Sequence, residues 1–174
     1  MNAVGKGVLL GAVHTVLVLS LGGKLLYDRM TRPRGWALTQ GYDPELPMRG
    51  RYLTQRLRMP AEGYAYTEGG NGQGNPWYLN RSWAYLESRN GGLVAKAFGH
   101  DGGGWVVLQK RSDGALEAVT EEPVLLFIPE NATTPVLRPG EEMWMEVTLP
   151  AKGPPRPIRA GMKKGGIIEP LVYK

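Results

Sequence analysis

Asp43-Pro44-Glu45-Leu46-Pro47-Met48-Arg49-Gly50-Arg51-Tyr52-Leu53-Thr54-Gln55-Arg56-Leu57 reads as a proline-stiffened approach, a tight turn and a strand. Pro44 and Pro47 fix their own φ and hold Asp43 and Leu46 extended. Gly50 can adopt positive φ and so turn the chain sharply. From Arg51 the residues alternate. Arg51, Leu53, Gln55, Leu57 and Met59 share one face, and Tyr52, Thr54, Arg56 and Arg58 the other. The first face is the more apolar and is expected to meet a core. Arg51 and Gln55 interrupt it and need partners if buried. Glu121, Glu122, Glu141 and Glu142, at predicted strand margins, are the candidates for Arg51.

Working outward, the same period recurs. Strands are predicted at Trp36–Gln40, Leu93–Phe98, Trp105–Lys110, Ala115–Val119, Val124–Ile128, Met143–Leu149, Ile158–Met162 and Ile167–Leu171. Gly99–Gly104 is read as the turn of a hairpin between the second and third of these, and Asp113-Gly114 as a tight turn after it. Val124–Ile128 is an unbroken apolar run between two prolines, which predicts a strand buried on both faces. With 25 glycines and 14 prolines in 174 residues, short strands and turns are favoured over helices. The expected fold is mainly β, a small antiparallel or mixed sandwich or barrel preceded by one N-terminal hydrophobic helix.

Gly7 to Gly23 carries no charge and is rich in Val and Leu. Val8 to Tyr27 as one helix measures roughly 30 Å, about one hydrocarbon core, so the membrane is an expected partner through residues 8–27. A cleaved signal peptide ending at Ser20-Leu21-Gly22 is the competing reading, but Leu25, Leu26 and Tyr27 continue the apolar helix past that site. The organisation expected is an anchor over 1–28, a linker over 29–35 and a β-rich domain over 36–174. A flexible insertion is expected over 61–92, centred on the glycine-rich polar tract Thr67 to Asn75. Lys24, Arg29, Arg32 and Arg34 follow the uncharged stretch Gly7 to Gly23, and the positive-inside rule alone would place the domain in the cytoplasm.

Gly50 to Leu57 resembles the short motif of the GDYXXLXY family, with Gly50 and Tyr52 matching and Arg51, Gln55 and Leu57 departing from it. The lead-in Asp43, Pro44, Arg49 and the tail Gly153 to Lys164 are also similar to that group. The resemblance implies a bacterial inner-membrane protein with a single pass, a periplasmic, extracytoplasmic β-rich domain and a polytopic membrane protein as partner. It carries no reaction, and the expected role is a non-catalytic accessory or interaction module.

The chemistry in the residues is sparse. Cysteine is absent, which excludes disulfides and thiol catalysis, and only His14 and His100 could supply imidazole, so no metal and no cofactor are expected. His14 lies in the apolar span. His100-Asp101 sits in a glycine-rich turn without a nucleophile motif. A Ser/Lys hydrolase with a signal-peptidase-like layout is one alternative, with Ser82, Ser88 and Ser112 as the serines beyond the span. A lipid- or carbohydrate-binding domain using exposed aromatics is another. The candidate binding residues are Arg49, Gly50, Arg51, Tyr52, Trp77 and Trp83. The net charge of +5 is scattered, and nucleic acid is not an expected partner of an extracytoplasmic domain.

Overall fold

A computed structural model describes residues 2–41, 51–67, 80–99, 102–129 and 137–172. They form two units, Met1–Arg32 and Pro33–Lys174.

The first unit is a single helix, α1 (Ala3–Thr31), 29 residues or roughly 43 Å long. Asn2 caps it by accepting from the Gly5 N–H at 3.1 Å. Its segment Val4–Thr31 is long and apolar enough to cross a membrane. The polar side chains inside it bond back to helix carbonyls. Thr15 Oγ1 donates to Gly11, Ser20 Oγ to Leu17 and His14 Nδ1 to Leu10, each at 2.9 Å. Such bonds leave fewer polar groups to be satisfied in hydrocarbon. The helix starts earlier and ends later than Val8–Tyr27, and the connection to the first strand shrinks from the expected 29–35 to Arg32-Pro33.

The second unit is mainly β: a closed six-stranded barrel with extra strands. Its strands are β1 (Arg34–Gly41), β2 (Arg51–Glu62), β3 (Arg81–Arg89), β4 (Gly92–Lys96), β5 (Gly103–Lys110), β6 (Leu116–Thr120), β7 (Val124–Ile128), β8 (Glu142–Thr148), β9 (Arg156–Lys164) and β10 (Ile167–Pro170). The barrel runs β1-β4-β3-β5-β6-β2 and closes through β2 against β1. β8, β9 and β10 extend the sheet from β1, and β7 extends it from β2. Long β2 makes closure possible by changing neighbours along its length. One edge meets β7 over Arg51–Gln55 and then β6 over Arg58–Pro60. The other meets β1 over Gln55–Arg58 and then, in parallel, β4 at Ala61 and Glu62.

Alternation on β2 places Leu53, Leu57 and Met59 in the core, as its pattern predicts. They pack with Ala84, Leu86, Val106, Leu108 and Met145, among others. Three expectations fail. The stretch 61–92 is not an insertion throughout: Ala61 and Glu62 finish β2, and Arg81–Arg89 is a barrel strand with Ala84 and Leu86 inward. β4 and β5 do not form a hairpin, because β3 lies between them. β7 has the expected ends but is buried on one face only. Val124 and Ile128 are buried while Leu125 and Phe127 face outward, on a strand that pairs with β2 alone among the described residues. The core of the Thr67–Asn75 tract lies outside the described residues. Its base is pinned, however: Thr67 N–H donates to Asn80 Oδ1 at 3.1 Å, and Asn80 Nδ2 donates to the Thr67 carbonyl at 3.2 Å.

Candidate functional site

β6 and β7 are one course of chain, antiparallel to β2, interrupted at Glu121-Glu122-Pro123. The pairing partners of β2 show it: Arg58 stands opposite Val119, and Gln55 opposite Val124, so the course gains extra residues there. Up to Thr120 it pairs with β5; Glu121 N–H still donates to the Trp105 carbonyl at 2.9 Å. Pro123 has no N–H to continue that ladder. Beyond it the chain follows β2 and leaves β5, and the wall forks.

The fork opens a groove of about 440 Å³. Gly103 to Val106 of β5 form one wall and Glu122 to Leu125 the other. Trp83 and Leu86 contribute from β3, and Gly153-Pro154-Pro155 with Arg156 and Pro157 at the start of β9 cover one side. Because the wall parts here, inward-facing Leu86, Val106 and Val124 are lining residues although they belong to the core.

Trp83 and Trp105 are direct cross-strand partners. Leu108 N–H donates to Asn80 O, and Leu86 N–H to Gly102 O. These bonds mark alternate pairs as the hydrogen-bonded ones, so the tryptophans occupy a non-hydrogen-bonded pair, where side chains approach most closely. Their rings meet edge to face with centroids 5.6 Å apart, and each residue remains 43% exposed. Gly103 makes room for the indole: a Cβ there would lie 2.8 Å from Trp83 Nε1. The Arg81 guanidinium sits 4.2 Å from the Trp105 ring centroid, and its Nε reaches Glu121 Oε2 at 2.8 Å. Tyr64 backs the site from the chain after β2 and donates its hydroxyl to the Trp83 carbonyl at 3.2 Å. Burial pushes its phenol up to about 12.

Of the candidate residues whose side chains are described, Tyr52 and Trp83, Trp83 lines this groove. Tyr52 is exposed on β2 and packs edge to face on Phe127, 5.6 Å between centroids. Arg51 opens β2 opposite Ile128, and its side chain lies outside what is described. Arg49, Gly50, Trp77, His100 and Asp101 also lie outside the described residues. Three of the carboxylates proposed for Arg51 have other partners: Glu121 has Arg81, Glu141 has Lys164, and Glu142 has Trp144 Nε1 at 3.0 Å. Trp105, Arg81 and Leu125 were missed. For Trp105 the signal was Gly102-Gly103-Gly104 before it, a stretch where the backbone can be approached closely; Arg81 and Leu125 carried none.

For hydrolysis, Ser82 and Ser88 are placed poorly. The Ser82 hydroxyl points at the Trp83 carbonyl, and Ser88 Oγ donates to the Arg34 carbonyl. Among the described residues no cluster of three His, Asp or Glu could hold a metal ion. The chain matches no family model, no curated protein and no solved structure.

Proposed function

We propose that the protein is a non-catalytic, membrane-anchored interaction module of the bacterial envelope that meets its partner through the Trp83–Trp105 groove. The observation that carries this reading is the groove itself: two half-exposed tryptophans over an apolar floor where the barrel wall forks. Exposed tryptophan beside an arginine is the composition of an interface anchor. The helix α1 supports attachment, which raises the effective concentration at a partner in the same membrane. The resemblance to the GDYXXLXY family supports a single pass of the inner membrane, a periplasmic barrel and a polytopic membrane partner. An oligosaccharide or lipid is the second reading, favoured by the exposed rings. Arg81 over one indole and the edge-on packing of the other leave less flat surface for sugar stacking.

Two experiments test this. The chain has no cysteine, so a single Ser112→Cys in the Asp113-Gly114 turn reports topology. A membrane-impermeant maleimide should label it in intact spheroplasts, and labelling only after lysis refutes the periplasmic placement. A photoreactive amino acid at Trp105 should cross-link one discrete membrane protein, while the same group at Ile167 should not. Equal products from both positions would overturn the groove as the contact surface.

A further inference from the structure

This inference rests on the groove being a binding surface and concerns what enters it. Backbone parity fixes where the peptide groups of its walls point. The bonds Leu108 N–H to Asn80 O and Leu86 N–H to Gly102 O turn the even residues of β5 toward β3. The N–H and C=O of Gly103 therefore face the opposite way, past the point where β6 has left, and open on the groove. On the other wall, Leu57 N–H reaches Thr120 Oγ1 at 3.0 Å, so the odd residues of β2 face the β6–β7 course. Gln55, Leu53 and Arg51 then bond Val124, Leu126 and Ile128. The peptide groups of Leu125 and Phe127 point away from β2, and β7 has no other strand partner among the described residues. Two strand edges whose outward peptide groups join no ladder among the described residues thus border one groove, with the start of β9 beside them. Natural proteins cover, bulge or charge such edges, and an edge left unpaired is a template for another strand. Between them lie apolar Trp83, Leu86, Val106 and Val124, and at the rim stands Glu122. Its carboxylate is exposed and has no ion-pair partner among the described residues, whereas neighbouring Glu121 is already held by Arg81.

We propose that the groove takes an extended peptide segment of the partner protein, added as a strand along Gly103 and Leu125, with a basic residue against Glu122. Main-chain bonds to the two edges would give affinity, alternate apolar side chains would fill the floor, and the carboxylate would set register.

The test pans phage-displayed short linear peptides on the full chain in detergent micelles. Selected peptides should alternate apolar and polar residues and carry Lys or Arg. Leu125→Pro deletes the one β7 N–H that faces the groove there and leaves the Val124 and Leu126 bonds to β2 intact. It should weaken those peptides by roughly tenfold, the worth of one main-chain hydrogen bond, while Leu125→Ala should cost less than about threefold. Circular dichroism checks that Leu125→Pro is folded. Glu122→Lys, which touches no ladder, should weaken basic peptides independently. Peptide binding should also slow amide exchange at Gly103. Peptides indifferent to both Leu125→Pro and Glu122→Lys, an unchanged Gly103 amide, or no peptide selected would overturn strand addition. Oligosaccharide-array binding lost in Trp105→Ala, with no peptide selected, would overturn it too yet leave the groove as a binding surface. The broader reading fails separately, through the cross-linking at Trp105.

Discussion

Trp36 and Trp105 each carry an arginine over the ring, and each arginine is tied to a glutamate: Arg159 to Glu146 on the neighbouring strand β8, Arg81 to Glu121 in the interruption after β6. In one row, Trp36 of β1 stands opposite Glu146 of β8, which stands opposite Arg159 of β9. Arg159 lies 5.5 Å from the Trp36 centroid and reaches Glu146 Oε2 at 2.6 Å. In the other row, Trp83 of β3 stands opposite Trp105 of β5, with Glu121 beyond it. The chemistry is shared and the enclosure is not. The Glu146 side chain is 11% exposed, that of Glu121 39%. Sheet continues on both sides of β8, whereas the wall stops at Glu121. An identical set of groups therefore acts as a joint where strands continue and as a rim where they part. Coulomb attraction is worth more in the first place, because less water screens it.

The sharpest break in this comparison is Trp36→Ala. The Trp36 ring lies on Gly161, where a Cβ would be 3.0 Å from Cζ3, so truncation opens a gap that the backbone cannot fill. It should cost about 3 kcal/mol in chemical denaturation, against about 1 kcal/mol for half-exposed Trp105→Ala. Equal costs would mean that the groove is as closed as the joint. Gly103→Ala comes next. Its methyl would meet both the Trp83 indole and the Ala84 carbonyl, and it should destabilise by about 2 kcal/mol and shift the tryptophan emission. Glu146→Gln should cost about 1–2 kcal/mol, since it neutralises a largely buried partner of Arg159.

How the sequence foretold these regions differs along the same lines. On β2, Leu53, Leu57 and Met59 alternate with Thr54, Arg56 and Arg58, so the buried face was readable. Val124-Leu125-Leu126-Phe127-Ile128 contains no polar mark, so its ends were legible and its single buried face was not. β3 was hidden because its inward positions are Ala84 and Leu86 between charged and aromatic neighbours, beside a glycine-rich tract that reads as insertion. With β3 unseen, the Trp83–Trp105 pair could not be read. It depends on non-local register, and register is set by the assembled sheet. Trp83 stood out as an aromatic, but the fork that exposes it comes from Pro123 and the extra residues around it.

Tyr64 gives a smaller effect confined to alkaline pH. Its hydroxyl serves the Trp83 carbonyl, and burial raises its pKa from 10.0 to about 12. A folded-state pKa above the unfolded value favours the folded state while the phenol is neutral in both. That advantage is complete below pH 10 and is lost as pH rises from about 10 to about 12. Denaturation midpoints of the wild type should fall across that window more steeply than those of Tyr64→Phe. Parallel pH profiles would show the phenol to be solvated, and the back of the groove with it.

The smallest expected effect completes the comparison. Glu121→Gln removes the same charge from the rim that Glu146→Gln removes from the joint. Both partners of the Arg81–Glu121 pair are 39% exposed at the side chain, so water already screens them, and holding two side chains in one geometry costs entropy. The change in stability should stay within about 0.5 kcal/mol. Arg81 would keep its place over Trp105 through the cation–π contact, so the tryptophan emission should change little as well. A loss matching that of Glu146→Gln would mean that the rim is as dry as the joint and that the fork is shut in solution. A negligible loss, beside a substantial one at Glu146, would leave enclosure as the property that separates the two clusters.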